Sequence, residues 1–210
     1  MKFLKEQYHL SFSFFRGPLW IYFKKASIAF AVIYLISILA SLFFPSIQES
    51  LLAYIQSVID QAGIVDDNGS ISAISIMLNN LNASAMCIIY GIIPFLYLPA
   101  LPIGLNASII GAVTSSYIVS DQSLLLFASG LVPHGIFEIP ALLVAFACGL
   151  YLCHVMTQYL RKSGAKEQRP SFSETMISIF RVYLTIIVPL LIIASFIEAY
   201  VTPICMSFFM

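Results

Sequence analysis

All ten Lys and Arg residues lie in two short segments, Lys2 to Lys25 and Arg161 to Arg181. From Ala26 to Leu160 there is no positive charge at all. Membrane proteins hold Lys and Arg in their cytoplasmic loops. The pattern therefore places both segments inside the cell and predicts a multi-pass protein of the cell membrane. Composition agrees: of 210 residues, 60% are hydrophobic and 10% charged, against about 25% charged in a soluble domain. Asn68 to Ser120 contains no Asp, Glu, Lys or Arg. The formal net charge is zero, which offers nucleic acid no electrostatic footing, and no nucleic-acid partner is expected.

The expected fold class is all-α: a polytopic transmembrane helical bundle of about five spanning helices, plus a short half-helix. Residues 1–25 mix cations with Phe, Tyr, Leu and Trp20. They are too polar for a signal-peptide core and read as a cytoplasmic interfacial segment on the lipid bilayer, interrupted at Gly17-Pro18. The transmembrane domain is expected over 26–210. Its first span, 26–44, is long enough to cross a hydrocarbon core of about 30 Å. Residues 46–70 carry Glu49, Asp60, Asp66 and Asp67 and no cation, so they belong outside. Leu51, Leu52, Ile55, Val58 and Ile59 recur there at helical spacing and predict an amphipathic segment. Asp67 to Ser70 reads as a turn.

The second span, 72–94, returns inwards with Asn79, Ala83, Cys87 and Gly91 four apart on one small and polar stripe, a pattern that lets membrane helices approach closely. The third, 102–119, carries Gly104, Ser108, Gly111 and Ser115. Residues 124–132 are apolar but too short to span. Pro133 and Gly135 predict a helix break around His134, so 124–132 reads as the half-helix. The fourth span, 136–160, places Ala141, Ala145 and Gly149 on the face of Glu138. The fifth, 174–201, ends at Pro203. The N-terminus is then cytoplasmic and the C-terminus external.

This topology brings four polar residues to the outer leaflet. His134 and Glu138 are four apart on one helix face; Glu198 lies near the outer end of the fifth span and Asn79 in the outer half of the second. A charged residue at the membrane centre costs about 2.5–3.5 kcal/mol, so such residues face a partner or a cavity. Three readings compete. The cluster is a hydrogen-bonded structural element; or a proton carrier in a transporter; or a metal site in which His134, Glu138 and Glu198 hold a divalent ion such as zinc. His9 and His154 read as interfacial residues. The four cysteines have no zinc-ligand spacing. No serine sits in a GxSxG context, and neither HExxH nor a phosphate loop occurs. The catalytic residues of any enzyme here are unassigned.

Three segments carry a resemblance: GLVPHGIFEIPALLVAFACGLYL at 130–152, SFIEAYVTP at 195–203 and LNASIIGA at 105–112. Together they resemble the stage II sporulation protein M family of polytopic membrane proteins. The matching positions are Pro133, His134, Gly135, Glu138, Gly149, Glu198 and Pro203. The resemblance implies a component of a membrane complex that remodels the cell envelope. Some relatives in the family accompany membrane-active peptides, which implies export or immunity. The function expected first is a membrane scaffold or accessory subunit with membrane-protein partners. The alternatives are an intramembrane metal-dependent hydrolase or peptide-processing enzyme, and a transporter or immunity component for a membrane-active peptide.

Overall fold

A computed structural model describes residues 2–65, 71–161 and 170–209. The expected turn at Asp67 to Ser70 lies outside the described residues, as does most of the expected cytoplasmic loop after Arg161. The helices are α1 (Lys2–Phe14), α2 (Trp20–Phe43), α3 (Pro45–Ala62), α4 (Ala73–Ile89), α5 (Ala100–Val119), α6 (Leu124–Arg161), α7 (Phe172–Val182), α8 (Val188–Phe196) and α9 (Thr202–Ser207). The chain is an all-α bundle. Among the described residues, five helical stretches are long and apolar enough to cross a membrane: Lys2–Phe43, Ala73–Ile92, Ala100–Val119, Leu124–Arg161 and Phe172–Ser207.

The ends of these helices follow from local sequence. Gly17 adopts non-helical angles (φ −85°, ψ −110°) and separates α1 from α2. The helix after this kink begins at Trp20, earlier than the Ala26 expected for the first span. Phe44 is extended because the ring of Pro45 disfavours helix in the preceding residue. Pro45 then opens α3, where its missing N–H costs nothing. Gly63 closes α3 in the left-handed conformation, with Gly63 N–H on Asp60 O and Ile64 N–H on Ile59 O. Asp121 (φ 52°) ends α5 in the same way, and Gln122 N–H reaches Tyr117 O. The hydroxyls of Ser72 and Ser123 accept from the first-turn amides of Ser75 and Leu125 and so cap α4 and α6.

Pro133 and Gly135 do not break the chain, contrary to the sequence expectation. α6 is one helix of 38 residues that runs through Pro133 and Pro140, so 124–132 is its first part and not a separate half-helix. In hydrocarbon an interrupted helix exposes several backbone groups, whereas each proline removes one hydrogen bond, so continuity is the cheaper arrangement. In the last helical stretch two prolines act differently. Tyr183–Ile187 and Ile197–Val201 are widened π-type turns, each ending just before a proline. Val188 N–H bonds Tyr183 O and Thr202 N–H bonds Ile197 O, five residues back, as the helix shifts around Pro189 and Pro203.

The chain forms two compact units. The first comprises residues 1–28, 82–103 and 141–190. Its core is the run Ala141–Gly149, every residue of which is buried. A Cβ on Gly91 would fall on the Gly149 carbonyl oxygen, and one on Gly149 would fall on the Cys87 carbonyl oxygen. The backbones of α4 and α6 therefore touch, which only glycine permits. The turn after α4 is held by α6: Thr157 Oγ1 accepts from Phe95 N–H (3.1 Å), and Cys153 Sγ donates to Ile93 O (3.3 Å). α1 lies on α7 and on the turn after it: Arg181 Nε donates to Gln7 Oε1 (2.7 Å), and Thr185 Oγ1 of the turn donates to Ser11 Oγ (2.7 Å).

The second unit comprises residues 29–81, 104–140 and 191–210. Here Gly111 admits α2: a Cβ would stand 2.7 Å from Ser37 Cβ and 2.9 Å from Tyr34 O. Tyr34 and Thr114 share a hydrogen bond of 3.2 Å across the same pair of helices. Gly104 has room, its nearest neighbour being Ile33 at 3.8 Å. Gly130 of α6 takes the side chain of Met206 in α9, with Sδ 3.3 Å from a Cβ position. α3 buries none of its residues.

Candidate functional site

The second unit gathers His134, Glu138 and Glu198. His134 and Glu138 stand one turn apart on α6, where the helix continues through Pro133 instead of turning away. Glu198 lies in the π-type turn Ile197–Val201. That turn has a local cause: Pro203 has no N–H, and Thr202 N–H goes to Ile197 O. Thr202 N–H, which in a regular α-helix would reach the Glu198 carbonyl, is thus directed to Ile197 O.

One ligand atom from each of the three side chains lies within 4.8 Å of the other two. His134 Nε2 is 3.9 Å from Glu138 Oε2, and their side chains are 11% and 19% exposed. Glu198 is half-buried. His134 Nδ1 meets Thr202 Oγ1 at 3.2 Å. This bond fixes the ring and turns Nε2 towards the carboxylates. Among the described residues no donor hydrogen-bonds Glu138 or Glu198, and no further His, Cys, Asp or Glu joins the cluster. The arrangement can share a proton, bind a cation or ligate a metal.

The other residues singled out in the sequence are distributed as follows. Asn79 is half-buried on α4, and the hydrogen bond of His134 goes to Thr202 instead; the neighbouring Asn80 is the more buried of the two. Pro133 and Gly135 lie inside α6. Gly91, Gly149, Ala141 and Ala145 are buried in the first unit, where Ala83 is half-buried; Gly111 is buried in the second, where Gly104 is half-buried. His154 pairs with Gln158 at 2.9 Å and stands near the Tyr22 ring. The residue that sequence reasoning missed is Thr202. Its signal was present, since it follows Glu198 by four and shares its helix face.

No solved structure matches the chain. Uncharacterized protein MJ0793 of Methanocaldococcus jannaschii is 31% identical over 129 residues, covering 61% of this chain and 70% of that protein. The family model of Stage II sporulation protein M matches residues 26–203. That match takes in the run from Pro133 to Glu138 and the turn from Glu198 to Pro203, the two segments that build the cluster, and the chain belongs to the Stage II sporulation protein M family of membrane proteins.

Proposed function

We propose that this protein is a membrane-embedded scaffold or accessory subunit of a cell-envelope complex, with its N-terminus in the cytoplasm and its C-terminus outside. The observation that carries the reading is α3. It is an 18-residue helix with no buried residue, and it bears Glu49 and Asp60 but no cation. Its apolar residues Leu51, Leu52, Ile55, Val58 and Ile59 are only half-buried, while Tyr54 is 42% exposed. An acidic helix gains nothing from an anionic lipid surface. Its amphipathic face suits a partner protein, as a helix laid against a groove.

A photo-reactive residue at position 54 tests this in native membranes, beside a control at Leu39, which is 55% exposed on the apolar α2. A single envelope-protein adduct at 54, absent at 39, is the expected result. Lipid adducts alone at both positions would defeat the reading. Orientation is tested separately. A cysteine replacing Glu49 should react with an impermeant thiol reagent on intact cells, and one replacing Glu6 should not.

A second reading is favoured by the meeting of His134, Glu138 and Glu198. An intramembrane metal-dependent hydrolase needs protein ligands and an open position for water. Three ligands would leave that position open. A hydrolase also needs a general base beyond the ligands, and no other acid joins the cluster among the described residues, so this reading ranks below the scaffold.

A further inference from the structure

We infer that His134, Glu138 and Glu198 bind one divalent transition-metal ion, with zinc the ion their chemistry suits, and that Thr202 positions the imidazole for it. The site goes beyond the scaffold reading and does not depend on it. The hydrolase reading requires the metal, but the metal does not require hydrolysis.

Distance is the first argument. At 3.9 Å, His134 Nε2 and Glu138 Oε2 are too far apart for a hydrogen bond. Two ligands of one tetrahedral zinc, each about 2.0–2.2 Å from the ion, stand roughly 3.3–3.5 Å apart. The three donor atoms here lie within 4.8 Å of one another, so a closure of at most about 1.5 Å completes the triangle. Glutamate side-chain rotation supplies that without moving the helices.

Charge is the second argument. Two half-buried carboxylates lie close together, and no donor among the described residues bonds either of them. Buried acidic groups are ordinarily paired or ligating. A cation held between them answers that requirement. The orientation of the ring suits a ligand as well. Metal-bound histidine donates its second N–H to an outer partner, which fixes the tautomer and aims the ligating nitrogen. In the tautomer whose Nδ1–H donates to Thr202 Oγ1 across the 3.2 Å contact, the Nε2 lone pair faces the carboxylates. Calcium and magnesium are poorly served, since they take six or more oxygens or retain several waters. One imidazole with two carboxylates is a donor set for zinc and its neighbours.

The test uses full-length protein in mild detergent, stripped with chelator and dialysed against zinc or cobalt(II). Cobalt reports its ligands by colour, which matters because four free cysteines are present. The expected result is one ion per chain, a visible cobalt spectrum without a thiolate charge-transfer band, and a higher melting midpoint on adding zinc. Glu138→Gln and Glu198→Gln should each lose stoichiometric binding and the zinc-dependent midpoint shift. Thr202→Val should keep the site but bind about 10–100-fold more weakly. Should a glutamate variant fail to fold, the wild-type spectrum still decides. A thiolate band, or no binding of either ion at concentrations of about 100 µM, would overturn the proposal; so would a folded Glu138→Gln protein that binds as wild type does.

Discussion

α6 passes through two settings that could hardly differ more. From Ala141 to Gly149 every residue is buried and none is charged, and Gly149 lies against the backbone of α4. From Leu131 to Pro140 the same helix carries His134, Glu138 and two prolines, and most side chains are partly exposed. In the first setting shape decides everything, since an extra methyl has nowhere to go. In the second, chemistry decides, and the side chains have room to adjust. A membrane protein without a water-driven core uses steric fit for rigidity, and its ionisable groups need a partner or a cavity.

The sharpest way to break this contrast is Gly149→Ala. Its Cβ would land on the Cys87 carbonyl oxygen and beside Pro99, both parts of the backbone or of a rigid ring. A loss of about 3 kcal/mol or more is expected, read as a fall in the denaturation midpoint in detergent. Near-wild-type stability would mean that α4 and α6 are not in backbone contact. Next comes the polar clasp of the first unit. Gln7→Ala removes the acceptor of Arg181 and should cost about 1–2 kcal/mol. Limited proteolysis should then cut faster within α1.

The second setting should be more forgiving. In metal-free protein, Glu138→Gln should change the melting midpoint by the equivalent of less than about 1 kcal/mol, because it removes a carboxylate that no donor satisfies. A much larger loss would make the cluster as rigid as the glycine contact. The smallest effects serve as controls. Gly104→Ala meets nothing closer than 3.8 Å and should be neutral within about 0.5 kcal/mol. Ser115 Oγ is buried and has no partner among the described residues, so Ser115→Ala should be neutral or slightly stabilising.

Much of this was legible in the chain. Apolar length and the two cation segments give the five helical stretches. The i,i+4 spacing of His134 and Glu138, read with the alternation of helix direction, points to Glu198 as their neighbour. Other features were hidden for physical reasons. Pro133 and Gly135 look like a stop because propensities describe helices in water, where a broken backbone can bond to solvent; lipid removes that option. Asn79 and Asn80 are adjacent, and a stripe of small residues does not say which face of α4 turns inwards. Thr202 was passed over because hydroxyls are common in membrane helices and bond their own backbone, as Ser195 does to Leu191.

The bonds that seat α1 on α7 join residues 174 positions apart. At a synthesis rate of about 5–20 residues per second, α1 leaves the ribosome roughly 10–35 seconds before Arg181 exists. During that interval α1 lacks its hydrogen-bond partners Arg181 and Thr185, and its Phe3, Leu4, Tyr8 and Phe12 face outwards beside Lys2 and Lys5. The bilayer surface is the natural waiting place for such a helix. Its docking on α7 is then a late step of assembly, and a chain truncated before Arg181 lacks both of these hydrogen bonds.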